Sequence, residues 1–142
     1  MRGIVGVGAI TADALVASLG NAKEFRNGRQ LSAWLGMVPS QYSSGGHARL
    51  GAISCRGDGY LRTLLIQGAR SSLQRAKAVA TEKATPEQLW IRSLAGRLSF
   101  GKVLVAIANK HARQLWVMLA HDVDYDPCAS LRHPMHRSIQ SV

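Results

Sequence analysis

The sequence predicts a mainly α fold: a small helical domain with a helix-hairpin-helix-like unit at its N-terminus and an irregular glycine-rich insertion. Three observations predict it. Apolar residues recur at helical spacing in three segments. Only residues 48–54 read as a short strand or an ordered loop. Between the helical segments, residues 39–59 (PSQYSSGGHARLGAISCRGDG) carry no helical period. A hydrophobic content of 46% is enough for a packed core.

The elements follow in order. Ile4 and Val5 lead into a Gly6-Val7-Gly8 turn and a helix that starts near Ile10, with Ile10, Ala14, Val16 and Ala17 as its apolar repeat. Thr11 is the expected cap at its start and Gly20 its end. Residues 4–38 therefore read as helix-hairpin-helix-like, although only five residues precede Gly6. Phe25, Leu31, Trp34 and Leu35 place a turn and then a short helix from Gly28 to Leu35, stopped by Gly36 and Pro39. A long helix is expected over Tyr60–Val79. Its inner stripe is Leu61, Leu64, Leu65, Ala69, Ser72, Leu73 and Ala76, with Arg62, Arg70, Gln74 and Lys77 outside.

Residues 80–86 read as a linker. Glu87–Leu98 forms a shorter helix with Leu89, Trp90, Leu94 and Leu98, and residues 99–101 break it. Lys102–His121 is the last helix. Leu104, Ile107, Ala108, His111, Leu115, Met118 and Leu119 face inward, and Asn109, Lys110 and Arg113 outward. The three tryptophans, Trp34, Trp90 and Trp116, are expected in the core, and His111 as a satisfied core histidine. The domain then spans residues 4–127 (4–38, 39–59 and 60–121 as its parts), followed by a disordered tail at 128–142.

Lys plus Arg is 18 against 8 for Asp plus Glu, a formal charge of +10 and a pI near 10.6. That excess points to a polyanion as partner. No apolar run reaches the roughly 18 residues of a membrane-spanning helix. The apolar N-terminal segment contains Asp13 and lacks a basic region before it, against a secretory leader. A cytoplasmic, nucleoid-associated protein is expected, and Cys55 and Cys128 are expected to stay reduced. Asp122, Asp124 and Asp126 lack the glycine and terminal glutamate of a calcium loop. Cys128, His133 and His136 do not have the spacing of a structural zinc site. The expectation is that this chain alone binds no metal or other cofactor.

Residues 39–62 hold the densest chemistry. Ser43 and Ser44 precede two glycines, and Arg49, Arg56 and Arg62 follow among further glycines. Glycine lets the backbone approach a ligand, and arginine supplies a charged fork that fits phosphate. Composition leaves two readings open: a basic loop that touches nucleic acid, or a catalytic serine. A serine hydroxyl needs activation, and no neighbour in sequence supplies it. His47 is a base in principle, though such a histidine more often touches phosphate or solvent. The Gly6–Gly8 turn would aim backbone N–H groups at a phosphate, or it is a tight turn made for close helix packing. Gly6, Gly8, Arg49, Arg56, Arg62 and Lys110 are the expected phosphate contacts.

Several motifs occur together: Gly6-x-Gly8-x-x-Thr11-Ala12, Leu31-x-x-Trp34-Leu35-Gly36-x-x-Pro39, Ser44-Gly45-Gly46, Gly51-x-Ile53-Ser54-x-x-Gly57 and Ala106-x-Ala108-Asn109-Lys110. Over residues 4–127 the chain resembles the C-terminal half of transposases of the insertion-sequence one-ten family, in the branch that includes the eleven-eleven group. The resemblance implies an RNA-guided DNA recombinase. It implies that Ser44, or its neighbour Ser43, is the nucleophile that attacks a scissile phosphate and forms a transient phosphoserine link. It further implies a separate N-terminal RNase-H-like domain whose four carboxylates bind magnesium, a guide RNA, and a composite site built between subunits of a homo-oligomer. Val5 stands where a proline is usual and Cys55 where a basic residue is usual. The sequence starts where the family's C-terminal half starts. A truncated copy, or the second product of a split gene, inactive by itself, is therefore expected. The rival readings are a non-catalytic helix-hairpin-helix nucleic-acid-binding module and an inactive remnant.

Overall fold

The computed structural model describes residues 4, 6–37 and 57–124, and the backbone of 39–44 and 47–53. Among these, five α-helices and one two-stranded ribbon follow each other: α1 (Ala9–Leu19), α2 (Gly28–Trp34), β1 (Pro39–Ser44), β2 (His47–Ile53), α3 (Gly59–Ala78), α4 (Pro86–Arg97) and α5 (Phe100–His121). Short 3₁₀ turns lie at Ala22–Glu24 and Thr81–Lys83. The fold is mainly helical, as predicted. The tail expected at 128–142 lies outside the described residues.

Local chemistry sets most helix ends. Asp58 starts α3: its carboxylate accepts from the backbone N–H of Tyr60 at 2.9 Å and of Leu61 at 3.2 Å. Thr85 and Gln88 form a reciprocal capping box at α4, with Pro86 in the first turn. Asn27 accepts from Gln30 N–H at 2.9 Å to open α2. Gly20, at φ 65°, closes α1 where the sequence placed the stop. The end of α3 is held from outside. Arg92 of α4 donates to the carbonyls of Ala76 and Val79 and to the Thr81 hydroxyl, a cation set against the negative end of a helix.

Four expectations change. Thr11 does not cap α1. It is buried inside the helix, and Gly8 holds the cap position without a side-chain bond. The buried face of α1 is Thr11, Ala12, Leu15 and Leu19, while Ile10 is 69% and Val16 47% exposed. Nearly every residue of α1 is small or apolar, so two faces fit a helical period and the leucine-bearing one wins on buried area. The break after α4 falls where expected but is shorter than residues 99–101. Ser99 is the extended cap residue, and Phe100 and Gly101 already belong to α5. Finally, Trp34 lies on the exposed side of α2, edge-on to Phe25 at 5.7 Å. Trp90 and Trp116 are half-buried.

The glycine-rich insertion is ordered differently from the irregular segment expected. β1 and β2 pair antiparallel, with Gln41 opposite Leu50, Tyr42 opposite Arg49, Ser43 opposite Ala48 and Ser44 opposite His47. A register shift falls between Pro39 and Gln41. Residues 48–53 of the segment read as strand or ordered loop are indeed strand.

The core joins Leu15, Leu31, Leu35, Met37, Leu61, Leu65, Leu73, Ile91, Ile107 and Leu115, with Ala69, Ala108 and Ala112 between them. α5 lies in its middle. It packs on α2, α3, α4 and the first 3₁₀ turn, where Trp116 Nε1–H donates to the Ala22 carbonyl at 2.9 Å. Among the described residues no helix is long and apolar enough to cross a membrane.

At the N-terminus, Gly6 has φ 91° and crosses α3 at Gly68. A Cβ on either glycine would fall on the carbonyl of the other. The glycine at 6 is thus needed for close packing, and no helix precedes it among the described residues. Gly96 in α4 faces open space. Gly68→Ala should lower stability by about 2 kcal/mol through overpacking at backbone, whereas Gly96→Ala should raise it by about 0.5–1 kcal/mol. Urea unfolding of both variants checks the opposite signs.

Candidate functional site

The hairpin leaves the helical body between α2 and α3, and its base is firmly built. Gly36 turns the chain at φ 76°. Met37 is fully buried, and its carbonyl accepts from the Asn109 side-chain amide at 3.0 Å. On the returning side, Gly57 packs on the Trp34 carbonyl so closely that a Cβ would overlap it. Arg62 Nη1 then donates to the Leu35 carbonyl at 3.2 Å. This bond satisfies one of the orphan carbonyls that end α2.

The register sorts the residues of the ribbon into two faces. Residues directly opposite share a face, and residues two apart along a strand share it as well. Positions 42, 44, 47 and 49 therefore fall on one face: Tyr42, Ser44, His47 and Arg49. Positions 41, 43, 48 and 50 fall on the other: Gln41, Ser43, Ala48 and Leu50. The two candidate nucleophiles are thus separated. Ser44 shares its face with an imidazole and a guanidinium position, and Ser43 with none.

The remaining predicted contacts are scattered. Arg56, like Cys55, lies outside the described residues. Gly8 is exposed at the start of α1, with open space beside it. Arg62 is half-buried at the base of the hairpin, and Gly6 is pressed on α3. Lys110 was placed on the outer side of its helix, yet it is half-buried with Nζ 4.2 Å from the centre of the Trp90 ring. Asn109, also placed outward, is the anchor of Met37. Sequence reasoning missed that role. The available signal was an amide beside the alanines of an apolar stripe.

Behind Lys110, α4 and α5 enclose a polar group. His111 is 1% exposed, with Nε2 3.6 Å from Glu87 Oε1, and Gln114 donates to the other carboxylate oxygen at 3.4 Å. His111 Nδ1 has no hydrogen-bond partner among the described residues, so this core histidine is only partly satisfied. Burial lowers the pKa of Lys110. The Glu87 carboxylate works against that shift, and the Arg113 charge adds to it.

Among the described residues no group of three or more His, Cys, Asp or Glu is placed to hold a metal ion. Asp58 is occupied as a helix cap, and Glu87 faces His111.

Fold and site together define a small helical domain that carries a basic, serine-bearing β-hairpin. The sequence profile of the IS116/IS110/IS902 transposase family matches residues 1–84, and the chain belongs to this family. It is 48% identical over 124 residues to a "Probable family 20 transposase" of Pseudomonas aeruginosa, covering 87% of this chain and 36% of the relative. It is 42% identical over 125 residues to the transposase for insertion sequence element IS1111A of Coxiella burnetii, covering 88% and 33%. The IS1328 transposase of Yersinia enterocolitica is 41% identical over 115 residues, covering 81% and 33%. The chain spans about a third of the length of these relatives.

Folding disfavours the charged form of Lys110, so its penalty is present at neutral pH and is relieved as pH rises through the lowered pKa. Between that value and the ordinary one of about 10.4 the unfolded state holds more protons, and stability rises with pH. Lys110→Met removes this contribution. Urea unfolding of both proteins from about pH 7 to about pH 10 should show wild type gaining stability relative to the variant.

Proposed function

We propose that this chain is the serine-bearing, nucleic-acid-binding part of a DNA-transposing recombinase, with Ser44 as the nucleophile. Family membership supports the reaction class. The observation that carries the residue assignment is the hairpin register, which puts Ser44 on one face with His47 and Arg49.

The chemistry follows from those residue types. Ser44 Oγ attacks the phosphorus of a phosphodiester as the bond to the leaving sugar oxygen breaks, and that oxygen takes up a proton. The product is a phosphoserine ester and a free strand end. A sugar hydroxyl of another strand can then displace the serine, so the phosphodiester is reformed without an outside energy source. The serine hydroxyl must lose its proton, and His47, its cross-strand partner, is the base this chain offers there. Arginine at position 49 offsets charge on the non-bridging oxygens.

Magnesium is expected in the family, but the carboxylates described here do not fit it, being dispersed over separate elements. We assign metal binding, the guide RNA contacts and further subunits to the two thirds of the relatives that this chain does not span. A protein that acts on DNA is expected at the nucleoid.

A second reading, a non-catalytic module that only positions phosphates, is favoured by one observation: the start of α1 has no side-chain cap and is open at Gly8. Among the described residues no side chain caps its first backbone N–H groups, an arrangement that suits an anion.

The two readings separate in one assay. The chain is incubated with duplex DNA, magnesium, guide RNA and the remaining portion of the Pseudomonas aeruginosa relative, and covalent adducts are resolved under denaturing conditions. The expected outcome is an adduct that Ser44→Ala abolishes and Ser43→Ala retains. Loss with Ser43→Ala alone would move the nucleophile by one residue. Binding with no adduct in any combination would favour the positioning module.

A further inference from the structure

We infer that Arg29 and Arg113 form a second phosphate-binding surface, on the α2–α5 side of the domain, apart from the hairpin. The inference rests on the reading that this chain binds nucleic acid.

The surface is created by a close approach. Gly28, the first residue of α2, packs on α5 at Arg113, where a Cβ would lie 2.7 Å from the Arg113 Cα and 2.9 Å from its Cβ. Only glycine fits there. The consequence is that Arg29, the next residue, emerges beside the root of Arg113. Both side chains are exposed, as is Arg26 just before the helix. Neither Arg29 nor Arg113 has a carboxylate at ion-pair distance among the described residues. Glu24, on the adjoining 3₁₀ turn, is the nearest acid in sequence and is exposed. Lys110, one turn before Arg113, feels the like charge of Arg113.

Four other cations among the described residues have partners within the domain. Arg62 and Arg92 serve helix ends, Lys110 covers Trp90, and Arg70 stands 6.0 Å over Phe100. Arg29 and Arg113 have no such duty. Adjacent like charges repel, and a phosphodiester backbone is the partner that relieves the repulsion through paired, charge-assisted bonds. Such contacts position a strand without reading its sequence. DNA and RNA both present this chemistry.

The test measures binding of the intact chain to a labelled DNA duplex and, separately, to an RNA hairpin, by anisotropy over a series of salt concentrations. Arg29→Gln/Arg113→Gln should reduce the slope of log affinity against log salt by about 1.8 on duplex DNA, at about 0.9 per phosphate contact. Arg29→Lys/Arg113→Lys should retain most of the slope. Arg75→Gln/Lys77→Gln removes the same charge from the exposed end of α3 and should change the slope by less than half as much. A loss confined to one nucleic acid identifies which strand the surface holds. An unchanged slope on both, in a double variant that melts like wild type, overturns the inference, as does an equal loss in the α3 control. Failure of the wild-type chain to bind either nucleic acid overturns this inference and the functional reading together.

Discussion

The domain depends on the burial of one helix. α5 carries Val103, Leu104, Ile107, Ala108, Ala112, Leu115 and Met118 into the core, and α2, α3, α4 and the first 3₁₀ turn all rest on it. Helical stability in a folded protein comes mostly from packing of the apolar face, so α5 is held by what covers it. The residues at its closest crossings are small. Ala108 and Ala112 are fully buried, and Gly28 meets the backbone at Arg113. Side-chain size at a few positions therefore decides how near the other helices come, and through them where the hairpin leaves the body.

Charge in this chain does two jobs. A formal excess of +10 suggests a uniformly cationic surface. The structure divides it. Arg92 closes the end of α3, Arg62 closes the end of α2, and Lys110 lies over an indole ring. These cations hold backbone carbonyls and aromatic faces, and their availability to a polyanion is reduced accordingly. The other cations among the described residues, including the pair beside Gly28, face solvent. Net charge alone does not distinguish these two populations.

Legibility in the sequence followed from how one-sided each element is. α3 has a single apolar stripe, and its predicted bounds differ from the observed ones by one residue at each end. α1 is apolar on more than one face, and the repeat at Ile10, Ala14, Val16 and Ala17 is not the buried one. The hairpin went unread as a pair of strands because Gln41, Tyr42, Ser43 and Ser44 show no alternation of polar and apolar residues. A strand pattern is strong only where one face is buried. Asn109 and Lys110 sit opposite the main stripe of their helix but are covered by the hairpin base and by α4, a neighbour no single-helix period contains. For the site, composition left a catalytic serine and a basic loop both open, with the loop the commoner outcome for such a segment. The motifs around Ser44 carried a resemblance that implies a nucleophile there, and the cross-strand pairing with His47 exists only in the folded register.

The two stems of the hairpin meet at Gly57 on the Trp34 carbonyl, close to where Arg62 reaches Leu35. An excursion closed in this way is an interchangeable part. The helical body senses where it departs and returns, and not how far it travels. Closing a longer loop costs little more, about 0.6 kcal/mol for each doubling of its length. The ribbon can therefore lengthen, shorten or change its tip over evolutionary time while the same helical chassis carries it, so that reach and geometry at the tip can diverge without refolding the domain.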